Sequence, residues 1–242
     1  RGEVALTVKN LCTDRLRDVS FTVYKGERLG FAGLVGAGRT ETARAVFGAD
    51  RIASGEIILN GKPIRISSPT DAIRHGVFYL SEDRKQLGLF LNMSIEDNIL
   101  FSFYPRIVNR LGLIRKATGK ALCEEQIRKL AIKTPSAQQL VKNLSGGNQQ
   151  KVILAKWLLM NCDVIFFDEP TRGIDVGAKQ EIYRLMNELA EQGKAVVMIS
   201  SEMPELLGMS DRVIVMHEGR VAGELAREEA TQEAVLKLAS GV

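Results

Sequence analysis

Gly33-Leu34-Val35-Gly36-Ala37-Gly38-Arg39-Thr40 spaces glycines, a basic residue and a hydroxyl as a phosphate cradle does. Glycines let successive backbone N–H groups converge on phosphate oxygens at a helix N-terminus, where the helix dipole favours an anion. Thr40 supplies a hydroxyl at the position of a magnesium ligand, and Glu41 follows it. Arg39 stands where the usual pattern has Lys, and its planar guanidinium needs a matching fork where an ammonium acts as a point charge. A second candidate is Val164-Ile165-Phe166-Phe167-Asp168-Glu169-Pro170, four apolar residues ending in two carboxylates. That pattern predicts Asp168 near the metal and Glu169 beside a water that attacks a terminal phosphate. The third is Leu144-Ser145-Gly146-Gly147-Asn148, where Ser145 is placed to cap a helix and the N–H groups of Gly146, Gly147 and Asn148 form a second anion site.

Each motif needs an element to hold it. A strand at Arg28–Ala32, a loop over Gly33–Gly38 and a helix from Arg39 to Phe47, stopping near Gly48, give the strand–loop–helix order of a phosphate site. The N-terminal zone up to Ile66 alternates polar and apolar residues, as at Val4–Val8, Val19–Val23 and Glu56–Leu59, and carries an Asn60-Gly61 turn. From Asp83 to Asn143 the pattern turns helical, with a helix predicted over Lys116–Lys133. From Leu144 onward, helices alternate with short apolar strands. The helices are read to Met160 and over Val176–Glu191, and the strands at Val164–Phe167, Ala195–Ile199 and Arg212–Met216. A tail helix is read over Arg227–Ala239. The pattern predicts an α/β chain with a mainly parallel sheet, an N-terminal antiparallel β subdomain and an inserted helical subdomain. Residues 1–82 and 144–242 make the core of one domain, and 83–143 the insertion.

Composition narrows the classes. The 242 residues are 45% hydrophobic and 26% charged, enough for one large domain. The net charge of +4 is scattered, with no basic stripe for nucleic acid. Cys12, Cys123 and Cys162 lie far apart and read as reduced packing residues of a cytoplasmic protein. No stretch approaches the roughly 20 apolar residues that span a bilayer. The chain opens directly into structure without Met, as a piece of a longer polypeptide would.

Together the three motifs resemble those of ATP-binding-cassette ATPases, with Leu144–Gln150 similar to that family's signature sequence. The resemblance implies a P-loop NTPase fold that binds ATP and Mg²⁺. It implies that Gly33, Gly36, Ala37, Gly38, Arg39, Thr40 and Glu41 hold nucleotide, that Thr40 and Asp168 hold the metal, and that Glu169 is catalytic. It further implies that Ser145, Gly146, Gly147 and Asn148 close over a γ-phosphate held by a partner domain. Glu82 stands where the family usually has Gln, and Ser201 where it has its switch His. Asp175, in Arg172-Gly173-Ile174-Asp175, matches the loop that signals across the dimer. Between Leu11 and Leu16 no aromatic residue stands ready to stack on adenine.

Ser81–Lys85, Asn148–Lys151, Asp168–Lys179 and Ser200–Leu206 narrow the resemblance to the second cassette of bacterial ribose- and galactose-type monosaccharide importers. That implies a first cassette fused upstream, a transmembrane permease, a sugar-binding protein acting indirectly, no nucleic-acid partner, and a peripheral place on the cytoplasmic face of the membrane. Arg39, Glu82 and Ser201 together imply a degenerate site of its own beside an intact signature. Two alternatives are a regulatory cassette that binds nucleotide without hydrolysis and a nucleic-acid-related ATPase of the same family.

Overall fold

A computed structural model describes residues 2–109 and 112–241. Strands β1 (Val4–Cys12), β2 (Val19–Tyr24), β4 (Ser54–Leu59) and β5 (Lys62–Ile64) form an antiparallel sheet in the order β2-β1-β4-β5. The Asn60-Gly61 turn closes the β4–β5 hairpin, with Leu59 opposite Lys62. Alternation explains the sheet up to Lys9: Leu6 and Val8 are buried, whereas Thr7 is half-buried and Lys9 exposed.

The second sheet has the order β10-β9-β3-β8-β7-β6. Its members are β3 (Arg28–Gly33), β6 (Val77–Leu80), β7 (Val164–Asp168), β8 (Ala195–Ile199), β9 (Arg212–His217) and β10 (Arg220–Ala226). Strand β3 runs parallel to β8 and β9, and β7 parallel to β8, while β10 returns antiparallel to β9. Every residue of β6, β7 and β8 is buried, which is why these stretches read as unbroken apolar runs. Helix α1 (Arg39–Val46) follows β3. Helix α2 (Pro69–His75) is started by a Ser68 cap with Pro69 in its first turn.

The chain forms two compact units, one of residues 1–79, 162–170 and 183–242, the other of 80–161 and 171–182. In the second, α3 (Ile95–Leu100) packs on α4 (Lys116–Lys129) and α5 (Gly146–Leu158). A single π turn at Arg84–Gly88 precedes them. Helix α4 ends at Lys129 and not at Lys133. Ala131 takes a left-handed conformation (φ 47°), its carbonyl accepts from Lys151 Nζ at 3.0 Å, and the Lys133 amide is drawn to Asn148 Oδ1 at 2.8 Å. The following segment is thereby tied to α5. Helices α6 (Val176–Glu191) and α7 (Met203–Met209) come next. The tail helix α8 spans Gln232–Ala239 and starts at a Thr231 cap, later than Arg227. Residues 227–229 instead form a turn at the end of β10, the Glu229 and Ala230 amides donating to Ala226 O at 3.0 and 2.9 Å.

Candidate functional site

Strand β3 delivers the chain to the loop at Gly33, and α1 leaves it at Arg39. Gly36 (φ +78°) has open space where a Cβ would lie, so a glycine is required there by conformation. Gly38 (φ +105°) caps α1, and no side chain bonds the helix's first amides. A Cβ on Gly38 would meet Leu16 Cδ2 at 2.9 Å and Gly219 Cα at 3.2 Å. Gly219 lies in the turn between β9 and β10 and donates its N–H to Ala37 O at 2.9 Å. A buried leucine and a distant turn thus seat the loop.

At the C-terminal end of β7, Asp168 is 1% exposed. Its Oδ1 accepts from Thr40 Oγ1 at 3.1 Å and its Oδ2 from Tyr79 Oη at 2.7 Å. Burial pushes the Asp168 carboxyl up, against the two hydroxyls and the Arg39 charge that favour its ionised form. Beside it Glu169 adopts a left-handed backbone (φ 47°) and donates its amide to Ile199 O at 2.9 Å. Ser201 Oγ donates to Glu169 Oε2 at 3.1 Å. Burial also raises the Glu169 carboxyl, with the Ser201 bond opposing it. The Arg39 guanidinium donates to Ser200 O at 3.1 Å, at the end of β8. Arg39, Thr40, Glu41, Asp168, Glu169 and Ser201 therefore gather in one unit, at the ends of β3, β7 and β8. Carboxyl ends of strands are where open α/β sheets bind ligands.

The fit to magnesium rests on the donor set. Thr40 and Asp168 offer two hard oxygens 3.1 Å apart, and among the described residues the buried carboxylate is bonded by two hydroxyls and by no cationic side chain. Among the described residues no group of three or more His, Cys, Asp or Glu could hold a metal by itself.

The other unit carries Glu82 and the signature. Ser145 caps α5, its Oγ accepting from the Asn148 amide at 3.4 Å and from Asn148 Nδ2 at 3.0 Å. The reading of three open amides is thus corrected at one position, because the Asn148 N–H is already engaged. Gly147 is a packing glycine: a Cβ there would lie 2.6 Å from Ala178 Cβ. A Cβ on Gly146 would meet Arg84 Nη2 at 2.8 Å. Arg84 donates to Arg172 O at 2.7 Å and Gly173 O at 3.3 Å, and Glu82 pairs with the Arg172 side chain. Glu82 and the Arg172–Asp175 loop are therefore joined. Lys156 donates to Gly88 O at 2.9 Å, and burial lowers its pKa to about 8.

Sequence reasoning missed Tyr79 and Arg84. Tyr79 reads as one more apolar strand residue, and its only trace is a hydroxyl in a strand otherwise made of Val, Phe and Leu.

Residues 16–172 match the family model described as ABC transporter. The chain belongs to the ABC transporter family. The cassette is 58% identical over 241 residues to a putative ribose/galactose/methyl galactoside import ATP-binding protein of Burkholderia lata, covering 99% of this chain and 47% of that protein. It is 54% identical over 243 residues to a ribose import ATP-binding protein of Clostridium perfringens, with 100% and 48% covered. The chain thus spans about half the length of the curated relatives it matches. Among solved structures it superposes on the ADP conformation of an ATP-binding cassette of an ABC transporter, with a TM-score of 0.80 at 20% identity and 99% of both chains covered. A nucleotide-free cassette gives a TM-score of 0.78 at 19% identity, with 98% and 95% covered. These two likenesses bear on the fold. Among the described residues no helix is long and apolar enough to cross a membrane.

Proposed function

We propose that this cassette is the second, C-terminal nucleotide-binding domain of a bacterial ribose- or galactose-type importer. In that reading it binds ATP at residues 33–41 and lies on the cytoplasmic face of the membrane. Its partners are a first cassette fused upstream, a transmembrane permease and, through the permease, a sugar-binding protein. Support comes from the import ATP-binding names of relatives that share nearly all of this chain over about half of their own length. Within the cassette, the helical segment 83–143 carries the permease-facing surface.

The observation that carries the catalytic reading is the pair of carboxylates at the end of β7, Asp168 bonded to Thr40 and Glu169 to Ser201. Thr40 and Asp168 would hold Mg²⁺. When bound, the ion supplies positive charge to the phosphate oxygens. Glu169, its carboxyl raised by burial, accepts a proton from the attacking water, and Ser201 fixes which oxygen faces that water. Ser201 donates a hydrogen bond without the positive charge that an imidazolium would add. Arg39 rests on Ser200 O, and its fork must leave that carbonyl to reach a phosphate. Turnover at this site is therefore slow, and Ser145, Gly146, Gly147 and Asn148 complete the faster site of the partner cassette.

ATP turnover by the intact transporter, with the partner cassette's own site silenced so that only this site is read, tests this. Glu169→Gln should remove the turnover of this site, about 100-fold or more for loss of a general base. Arg39→Lys with Ser201→His should raise turnover. The engagement of Arg39 with Ser200 favours one competing reading, a regulatory cassette without hydrolysis. An unchanged rate in Glu169→Gln would establish that reading instead.

A further inference from the structure

The charge of this chain is small in sum but unequally divided. Residues 98–162 hold eleven Lys and Arg against two acids, Glu124 and Glu125, whereas the remaining residues hold 22 against 27. One stretch of the helical unit is thus strongly basic and the rest of the cassette mildly acidic. Two of these cations are used inside: Lys151 pairs with Glu181 at 2.7 Å, and Lys156 donates to Gly88 O. Arg106, Arg115, Lys116 and Lys120 are exposed.

These four surround a short turn that leads into α4. The Asn109 amide donates to Leu113 O at 2.9 Å, Asn109 Oδ1 accepts from the Leu113 amide at 3.0 Å, and the Arg115 amide donates to Ile107 O at 2.9 Å. The backbone is therefore held, yet Leu113 and Ile114 are 62% and 45% exposed. Two adjacent aliphatic residues are kept in water at a fixed tip, where burial would be favourable. Arg106 precedes Ile107, Arg115 and Lys116 follow Ile114, and Lys120 lies one turn further along α4.

The charges themselves are placed at a cost. Helix α4 has Arg115 at its N-cap with no side-chain bond, Lys116 next to it and no acid in its first turn, so cations oppose the helix dipole. Helices α1, α2, α3, α7 and α8 each carry an acid there. The acids that flank the turn in sequence are engaged: Asp97 accepts from the hydroxyls of Ser94 at 2.6 Å and Tyr104 at 3.0 Å, and Glu124 stands 3.9 Å from Lys120. A countercharge for the start of α4 must come from outside the unit.

We infer that the Leu113–Ile114 tip and the cations around it, Arg106, Arg115, Lys116 and Lys120, bind an anionic lipid surface. The cations are attracted to headgroup charge, and the two aliphatic side chains enter the boundary between headgroups and acyl chains. The aliphatic tip favours lipid over nucleic acid, whose phosphate backbone is held by charge. That a membrane lies within reach rests on the importer reading.

Co-sedimentation of the full chain with vesicles tests it, comparing phosphatidylcholine alone with a mixture containing phosphatidylglycerol. Wild type should bind the mixture, more weakly as salt rises, and not phosphatidylcholine alone. Arg115→Gln with Lys116→Gln should weaken binding about 25-fold, near fivefold per charge. Leu113→Ser with Ile114→Ser should weaken it about tenfold with the charge unchanged. Arg51→Gln with Arg65→Gln, which removes two exposed cations of the other unit, should change it less than about twofold. Equal binding to both vesicles, or an equal loss in the Arg51 and Arg65 pair, overturns the inference. So does a serine pair that binds like wild type, which would make the patch a surface for any polyanion, duplex DNA included. A wild type that binds neither vesicle overturns the inference and leaves the importer reading standing, because ATP turnover of the intact transporter tests that reading separately.

Discussion

Helix α1 starts from a left-handed Gly38 with no side chain bonded to its first amides, whereas α5 starts from Ser145, whose hydroxyl accepts from the Asn148 amide. Around the first start, Gly36 has empty space beside it and a positive φ; at the second, Gly147 lies against Ala178 with a Cβ-sized gap missing. One end keeps its donors open and spends Gly36 on conformation alone. The other is partly satisfied from within and spends a glycine on close packing. Similar residue types at two anion-binding helix ends therefore answer to different physics, and substitutions can separate them.

The largest expected effect is at Gly147. Adding a methyl there overpacks α5 against α6, and Gly147→Ala should destabilise the helical unit by about 1–3 kcal/mol. Gly36→Ala should cost about 1–2 kcal/mol through its left-handed backbone alone. Asparagine tolerates that conformation, so Gly36→Asn should recover part of the loss, while Gly147→Asn should be worse than Gly147→Ala. Denaturant melts of the four variants check the contrast; recovery at Gly147 as well would erase it. Next in size is Ser145→Ala, which removes the cap and should cost about 1 kcal/mol. Hydrogen exchange at the start of α5 should accelerate while the start of α1 stays unchanged.

The smallest effect is a pH dependence. Asp168 has a folded-state pKa raised from 3.8, so the folded chain holds its proton longer than the unfolded one. Its stabilising contribution is fully present below pH 3.8 and is lost as the pH rises through the raised value. Asp168→Asn, without Mg²⁺ or nucleotide, should therefore raise the thermal midpoint at pH 7 by about 2–4 °C per kcal/mol regained, and not below pH 3.8. Calorimetry at the two pH values decides it. An equal shift at both would mean the gain is not electrostatic.

How much of this was legible in the sequence depends on how local each cause is. The strand Val164–Asp168 and the Ser145 cap follow from residues a few positions apart, so periodicity and cap chemistry find them. The end of α4 does not, since Ala131 and Lys133 are held by Lys151 and Asn148 of another helix. The site divides in the same way. Asp168 and Thr40 announce themselves by motif, but Tyr79 reaches Asp168 across the sheet from a strand that reads as plain core. Where Arg39 points could not be read either, because Ser200 is near only after β8 is laid beside β3.

Gly219 carries a consequence for anyone who would move this phosphate loop to another scaffold. Its N–H holds Ala37 and its Cα stands against Gly38, yet it lies beyond the stretch 16–172 that identifies the family. A graft of the recognisable motif alone would carry every residue meant to touch phosphate and leave behind the buttress that shapes them. The portable part is the loop together with Leu16 and the β9–β10 turn, a unit of three chain segments spread from Leu16 to Gly219.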